Sequence, residues 1–199
     1  MSHLNFWWIR HAPVINNKDC CYGDNEVECD ISNTKKFNYL AKVLPADAII
    51  YTSTLSRAKK TFFATEKAGL KYKLFFEDER LKEQNIGKFA GMKYEKLYKL
   101  TKKLDIYNPN WLMNETYTPD DGESFIDVNN RINSFLIEKI KENKQNNLII
   151  FSHGGPIRSA INIALCNEKV KVGPFQIDNL KVTKIVYYKG KWQIDFINK

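Results

Sequence analysis

Apolar residues fall along this chain in short runs that alternate with longer stretches of helical spacing. Residues 4–9, 48–51, 72–76 and 148–151 are compact apolar or aromatic runs that predict strands, buried ones at 4–9, 48–51 and 148–151. Between the second and third, Leu55, Ala58, Phe62 and Thr65 predict a helix over 55–68, and Ser32 is placed to cap a helix running to about residue 43. Residues 94–103 predict another helix. The most regular one spans about 124–144, where Phe125, Val128, Ile132, Phe135, Leu136 and Ile140 form one apolar face. Ile157, Ala160, Ile161, Ala164 and Leu165 mark a helix straight after the 148–151 strand. Residues 181–188 and 191–197, joined at Lys189-Gly190, predict a hairpin. Residues 77–91 read as loop. Strands alternating with helices predict an α/β sandwich with a largely parallel sheet. In such sheets ligands gather at the C-terminal strand ends.

Length and composition narrow this picture. A chain of 199 residues with 43% hydrophobic and 27% charged residues fits one domain over 1–199, with a small helical and loop insert around 79–120. No run approaches the roughly 20 apolar residues that cross a bilayer. The first ten residues lack a basic leader segment, so the expected location is cytoplasmic. Cys20, Cys21, Cys29 and Cys166 include an adjacent pair and no C-x-x-C, which favours reduced thiols. The net charge of +8 comes from lysines scattered over expected helix surfaces. That argues for a solvated basic surface, not a nucleic-acid patch, and no nucleic-acid or membrane partner is expected. The sequon at Asn114-Glu115-Thr116 has no meaning without secretion.

Two strand ends carry reactive groups. The first strand runs into Arg10-His11-Ala12-Pro13 and the 148–151 strand into Ser152-His153-Gly154-Gly155. Of three histidines, only His3 lies elsewhere, at the N-terminus. Neither His11 nor His153 has a partner at metal-binding spacing, and Arg10 beside His11 would repel a cation, so no metal or other cofactor is expected. Phosphate suits these residues. Arginine offers a planar fork to phosphate oxygens. Gly154-Gly155 at a helix start leaves backbone N–H groups free for an anion. Arg57 opens the helix after the second strand, bringing a second arginine to the same sheet edge. Neutral imidazole can attack phosphorus, and a leaving alcohol then needs a carboxylic acid to protonate it; Glu83 is a candidate.

Taken in order, these segments resemble the histidine phosphatase superfamily, the phosphoglycerate mutase-like family. Arg10-His11-Ala12 is similar to its Arg-His-Gly signature. Ser53-Thr54-Leu55-Ser56-Arg57-Ala58, with Thr61, is similar to Ser-x-Leu-x-Arg-Ala. Leu81-Lys82-Glu83 with Gly87 and Gly91, Gly122-Glu123-Ser124, and Ser152-His153-Gly154-Gly155-x-Ile157-Arg158 resemble its remaining motifs. The resemblance implies a three-layer α/β/α sandwich. It makes His11 a nucleophile that becomes phosphorylated, with Arg10, Arg57 and His153 holding the phosphoryl group. Glu83 becomes the acid that then activates water. It also places Asn17 at a phosphate contact, with Asn16 adjacent, and Gly154 beside the substrate. Glu123 and Ser124 either contact substrate or serve a helix capping box, Asp120-x-x-Glu123.

Cys21-Tyr22-Gly23-Asp24 resembles the α-ribazole phosphatase branch, which places Cys21, Tyr22 and Gly23 at the substrate; as a thiol, Cys21 equally suits plain packing. The partner expected is a small phosphorylated metabolite, such as α-ribazole 5′-phosphate, and a homodimer is open. Two other activities compete. A phosphoglycerate mutase would need a longer insert before His153. A protein-phosphohistidine phosphatase or a phosphoester-binding regulator would lack the Glu83 segment or one of His11, Arg57 and His153. In residues 107–119, Trp111, Met113 and Tyr117 form a substrate lid or pack down, and packing is the reading taken.

Overall fold

The computed structural model describes residues 3–16, 19–142, 146–166 and 169–199. In chain order these form β1 (Leu4–Arg10), β2 (Cys20–Cys21), α1 (Thr34–Val43), β3 (Ile49–Thr52), α2 (Ser56–Lys67), β4 (Leu74–Glu77), β5 (Met92–Lys93) and α3 (Tyr94–Lys103). They continue with α4 (Phe125–Glu142), β6 (Asn147–Ser152), α5 (Gly154–Ala164), β7 (Val182–Tyr188) and β8 (Lys191–Phe196). Six strands make one sheet in the order β4-β3-β6-β1-β7-β8. The first four are mutually parallel, and β7 and β8 add an antiparallel edge. This is a mixed α/β fold with a mostly parallel central sheet.

Strand alternation explains the layers. Side chains point to opposite faces at successive positions. Phe6 and Trp8 of β1, Tyr51 of β3 and Ile150 of β6 join one core cluster with Val128, Ile132 and Phe135 of α4 and Ile157 and Ile161 of α5. Ile9, Ile50, Ile149 and Phe151 join a second cluster with Phe37 and Leu40 of α1 and Phe62 of α2. Continuous apolar runs are what a sheet covered on both faces requires. Each of these large side chains, once buried, contributes about 1.5–3 kcal/mol.

Several boundaries differ from the sequence-based expectation. The α1 cap is Asn33, whose Oδ1 accepts the Lys36 N–H at 3.2 Å, and not Ser32. Ser32 N–H instead donates to Asp30 Oδ1 in the preceding turn. Residues 77–91 are not plain loop: they contain 3₁₀ turns at Glu79–Leu81 and Gly87–Phe89. Cys20–Cys21 pairs with Met92–Lys93 as a small antiparallel ribbon, too short for a sequence period to reveal. Under it Cys21, Ile86, Phe89, Leu97, Ile106 and Met113 form a separate small core. The α4 helix is described to Glu142, and residues 143–145 of the expected helix lie outside the described residues. The β7–β8 turn at Lys189-Gly190 has positive φ at both residues, as a tight hairpin turn requires.

Candidate active site

The C-terminal ends of β1, β3 and β6 lie side by side, and pairing continues past the strands. His11 N–H donates to the Ser152 carbonyl at 3.0 Å and Ser53 N–H to Phe151 at 3.0 Å. This brings His11, Arg57 and His153 together, all three without solvent exposure. The two imidazole centroids are 5.0 Å apart.

The hydrogen bonds determine the tautomers. His11 Nδ1 lies 2.7 Å from the Ala12 carbonyl, which can only accept, so Nδ1 carries the proton. Nε2 then holds a free lone pair, and it is buried with no hydrogen-bond partner among the described residues. Burial, and then the charges of Arg57 and Arg10, hold the His11 pKa well below the usual histidine range, so the ring is neutral. The surrounding backbone is braced. Ala12 N–H donates to Thr61 Oγ1 at 2.8 Å, Asn179 Nδ2 donates to the His11 carbonyl at 2.7 Å, and Arg10 Nη1 donates to the Ile177 carbonyl at 2.6 Å.

At His153, Arg57 Nε donates to Nδ1 at 3.2 Å, so Nε2 carries the proton and meets Ser53 Oγ at 2.8 Å. Burial, followed by Arg57 and His11, also lowers this histidine. Arg57 donates further to the carbonyls of Asn25 at 2.7 Å and Gly23 at 2.8 Å. Three of its five N–H groups are thus committed. Arg57 also lies 5.1 Å from the Tyr22 ring centroid, and Glu26 accepts from the Ser56 N–H at the start of α2. These contacts fasten residues 22–26 over the histidines.

Glu83 corrects one expectation. The Gly154 and Gly155 N–H groups are not free, because the Glu83 side chain already occupies the start of α5. Glu83 Oε2 accepts from Gly154 N–H at 3.1 Å, and Oε1 accepts from Gly155 at 3.0 Å and from Gln84 at 3.0 Å. A helix N-terminus favours negative charge there.

Glu123 and Ser124 are both engaged by protein groups. Glu123 Oε1 and Oε2 take Arg131 Nη2 and Nε at 2.8 and 3.0 Å, and Oε1 also accepts the Asn85 N–H. Arg131 reaches on to the carbonyls of Arg80 and Glu83, so this pair holds the loop that carries Glu83. The capping box is shifted from the expected one. Ser124 and Asp127 exchange backbone and side-chain bonds at the start of α4. Gly87 and Gly122 let the two loops touch: a β-carbon on Gly87 would overlap the Asp120 carbonyl.

A cleft of about 120 Å³ opens beside these groups, with Arg10, Cys21, Tyr22, Glu83, Trp111 and Arg158 among its walls. Gly23 and Gly154 also line it, whereas Glu123 and Ser124 do not. Asn17 lies outside the described residues. Burial pushes the Cys21 thiol up to about 12, which suits packing and not reactivity. All four cysteines are free. Met113 and Tyr117 pack down as expected, but Trp111 faces the cleft, with its indole N–H on Gln84 Oε1 at 2.6 Å. Sequence reasoning assigned no role to Asn179, Arg131, Gln84 or Arg158. Only Arg158 had a local signal, its place in the second-histidine motif. Among the described residues no group of three or more His, Cys, Asp or Glu is placed to hold a metal, and no helix is long and apolar enough to cross a membrane.

Comparison with known proteins agrees on the fold. A putative α-ribazole-5′-phosphate phosphatase from Escherichia coli K-12 superposes with a TM-score of 0.82 at 16% identity, over 98% of this chain and 96% of that one. A mycobacterial glucosyl-3-phosphoglycerate phosphatase gives 0.77 at 21% identity, over 98% and 99%. A phosphoglycerate mutase from Bacillus anthracis gives 0.78 at 21% identity, over 100% and 94%. Among curated proteins no sequence matches significantly. The family model of the histidine phosphatase superfamily, branch 1, matches residues 6–199, and the chain belongs to that superfamily.

Proposed function

We propose that this protein is a metal-independent phosphomonoesterase that works through a phosphohistidine at His11. The observation that carries the reading is the His11 Nδ1–Ala12 bond, which leaves a neutral imidazole with its Nε2 lone pair unpartnered among arginines. In the first step Nε2 attacks phosphorus. The phosphorus–oxygen ester bond breaks, and the leaving oxygen takes a proton from Glu83. Oε2 is the oxygen to carry that proton, since it accepts one N–H where Oε1 accepts two. In the second step the Glu83 carboxylate removes a proton from water, whose oxygen attacks phosphorus. The phosphorus–nitrogen bond breaks and its electron pair returns to Nε2. Arg10 and Arg57 supply positive charge to the phosphoryl oxygens, the usual means of stabilising such a transition state. His153, fixed by Arg57 and Ser53, stands behind the nucleophile. Half-buried Tyr22 stands edge-on to His11, their ring centroids 6.4 Å apart.

The test is phosphate release in EDTA from a panel of α-ribazole 5′-phosphate, 3-phosphoglycerate, nucleotides and sugar phosphates. Release that survives EDTA supports the reading; loss restored by a divalent ion overturns it. Preference for α-ribazole 5′-phosphate would support the branch that Cys21-Tyr22-Gly23 resembles and that the Escherichia coli neighbour's name suggests. Conversion of 3-phosphoglycerate to its isomer without release would mean a mutase. No turnover of any ester, with binding retained, would mean a phosphoester-binding regulator.

A further inference from the structure

The peptide that joins His11 to Ala12 is held at both polar ends by side chains from remote parts of the chain. Its carbonyl accepts from Asn179 Nδ2 at 2.7 Å, and its N–H donates to Thr61 Oγ1 at 2.8 Å. Thr61 lies on α2 without solvent exposure. Its single hydroxyl proton goes to the Arg57 carbonyl at 2.6 Å, so toward Ala12 this oxygen can only accept. Asn179 stands in the turn before β7, where residues 177–180 grip the end of β1. Leu180 N–H donates to the Arg10 carbonyl at 3.0 Å, and the Ile177 carbonyl takes Arg10 Nη1 at 2.6 Å. Asp178 ties this turn to the chain end. Its N–H donates to Asn198 Oδ1 at 2.6 Å, and its Oδ2 accepts from Asn198 Nδ2 at 2.9 Å.

Pinning this peptide decides where the next carbonyl points. Ala12 precedes Pro13, and a residue before proline is confined to extended backbone. With the His11–Ala12 peptide fixed and Ala12 confined, the Ala12 carbonyl stays 2.7 Å from His11 Nδ1. The hydrogen bonds around an imidazole decide which nitrogen carries its proton. At His11 only the Nδ1 bond does so, because Nε2 has no partner among the described residues. Released from Ala12, the ring would take its proton on Nε2, as free histidine prefers. The lone pair needed for attack would then be gone.

We infer that Asn179 and Thr61 are positioning residues that set the reactive tautomer of His11. They hold one peptide from both sides and, through it, keep the Nε2 lone pair free. The effect on rate rests on the phosphohistidine reading of the site; the effect on the tautomer rests on geometry alone. Neither side chain is among the walls of the cleft, so substrate affinity is not their task.

Nitrogen NMR of protein labelled with ¹⁵N in its histidine rings tests this, since a protonated ring nitrogen and a bare one have well-separated shifts. At neutral pH the His11 pair, identified by its absence in H11A, should show Nδ1 protonated. His153 should show the opposite pattern. N179L and T61V remove one bond each at similar side-chain size. Both should move the His11 pair toward the Nε2-protonated pattern and leave His153 unchanged. The saturating single-turnover rate of phosphorylation by p-nitrophenyl phosphate should fall on the order of 10- to 100-fold, with the half-saturating concentration little changed. T61S returns the hydroxyl and should restore both tautomer and rate. Unchanged His11 shifts in N179L and T61V would overturn the inference, whatever happens to Tm. Shifts that move as expected while the single-turnover rate holds, or while the wild-type protein turns over no ester, would uphold the positioning and overturn the phosphohistidine reading instead.

Discussion

The carboxylate of Glu83 occupies the space that a side chain on Gly155 would fill: a β-carbon built there overlaps Oε1. Only glycine lets the acid sit on the first turn of α5, where two backbone N–H groups hold it. Gly155→Ala should displace the carboxylate while leaving the helix sound, since alanine is the better helix former. A shift of about 1 Å can cost roughly a hundredfold in rate. The expected result is a kcat for alkyl phosphates lower by about that factor, with Tm little changed. An unaltered kcat would separate Glu83 from the chemistry.

His11→Ala should lose turnover by several orders of magnitude, because Nε2 of His11 is a neutral imidazole nitrogen left without a hydrogen-bond partner among the described residues. Rapid acid-free quenching with a radiolabelled ester should trap label on the wild-type protein and none on the variant. Label that persists in the variant would move the nucleophile elsewhere.

Glu83→Gln keeps a hydrogen-bonding side chain but cannot deliver a proton to an alkoxide. Alkyl phosphates should lose on the order of 10²- to 10⁴-fold. p-Nitrophenyl phosphate, whose leaving group needs no proton, should still phosphorylate His11, then stall and show a burst of nitrophenol. Equal losses for both esters, without a burst, would remove Glu83 from the acid role.

Acid should destabilise the fold before its carboxylates titrate. His11 and His153 both have pKa values well below 6.5, chiefly from burial. Below about 6.5 the unfolded chain binds protons that the folded chain refuses, so stability is complete above that pH and falls beneath it. Carboxylates held low by their partners, such as Glu138, lowered to about 2 by Arg80, lose their contribution only below about pH 4. Tm should therefore drop by several degrees between pH 6.5 and 5. The same measurement on His153→Gln should show a shallower fall. A flat Tm over that range would mean that neither histidine is held neutral.

Much of this molecule is legible in consecutive residues. Apolar runs and 3.6-residue spacing carry β1, β3, β6 and the helices, because a covered strand or a packed helix face imposes its period locally. The strand ends carry Arg10, His11 and His153 for the same reason: chemistry at the rim of a parallel sheet follows directly after a buried run. The cap at Asn33 and the ribbon of β2 and β5 escaped because one or two residues hold no period. What folding alone decided was how these groups are connected. The acceptor for the Gly154 N–H is Glu83, 71 positions away. The brace on the His11 carbonyl is Asn179, 168 positions away. Arg131 holds the Glu83 loop across 48. A buried N–H or carbonyl must find a partner, but which one reaches it depends on how remote segments pack, and no local pattern in the chain records that choice.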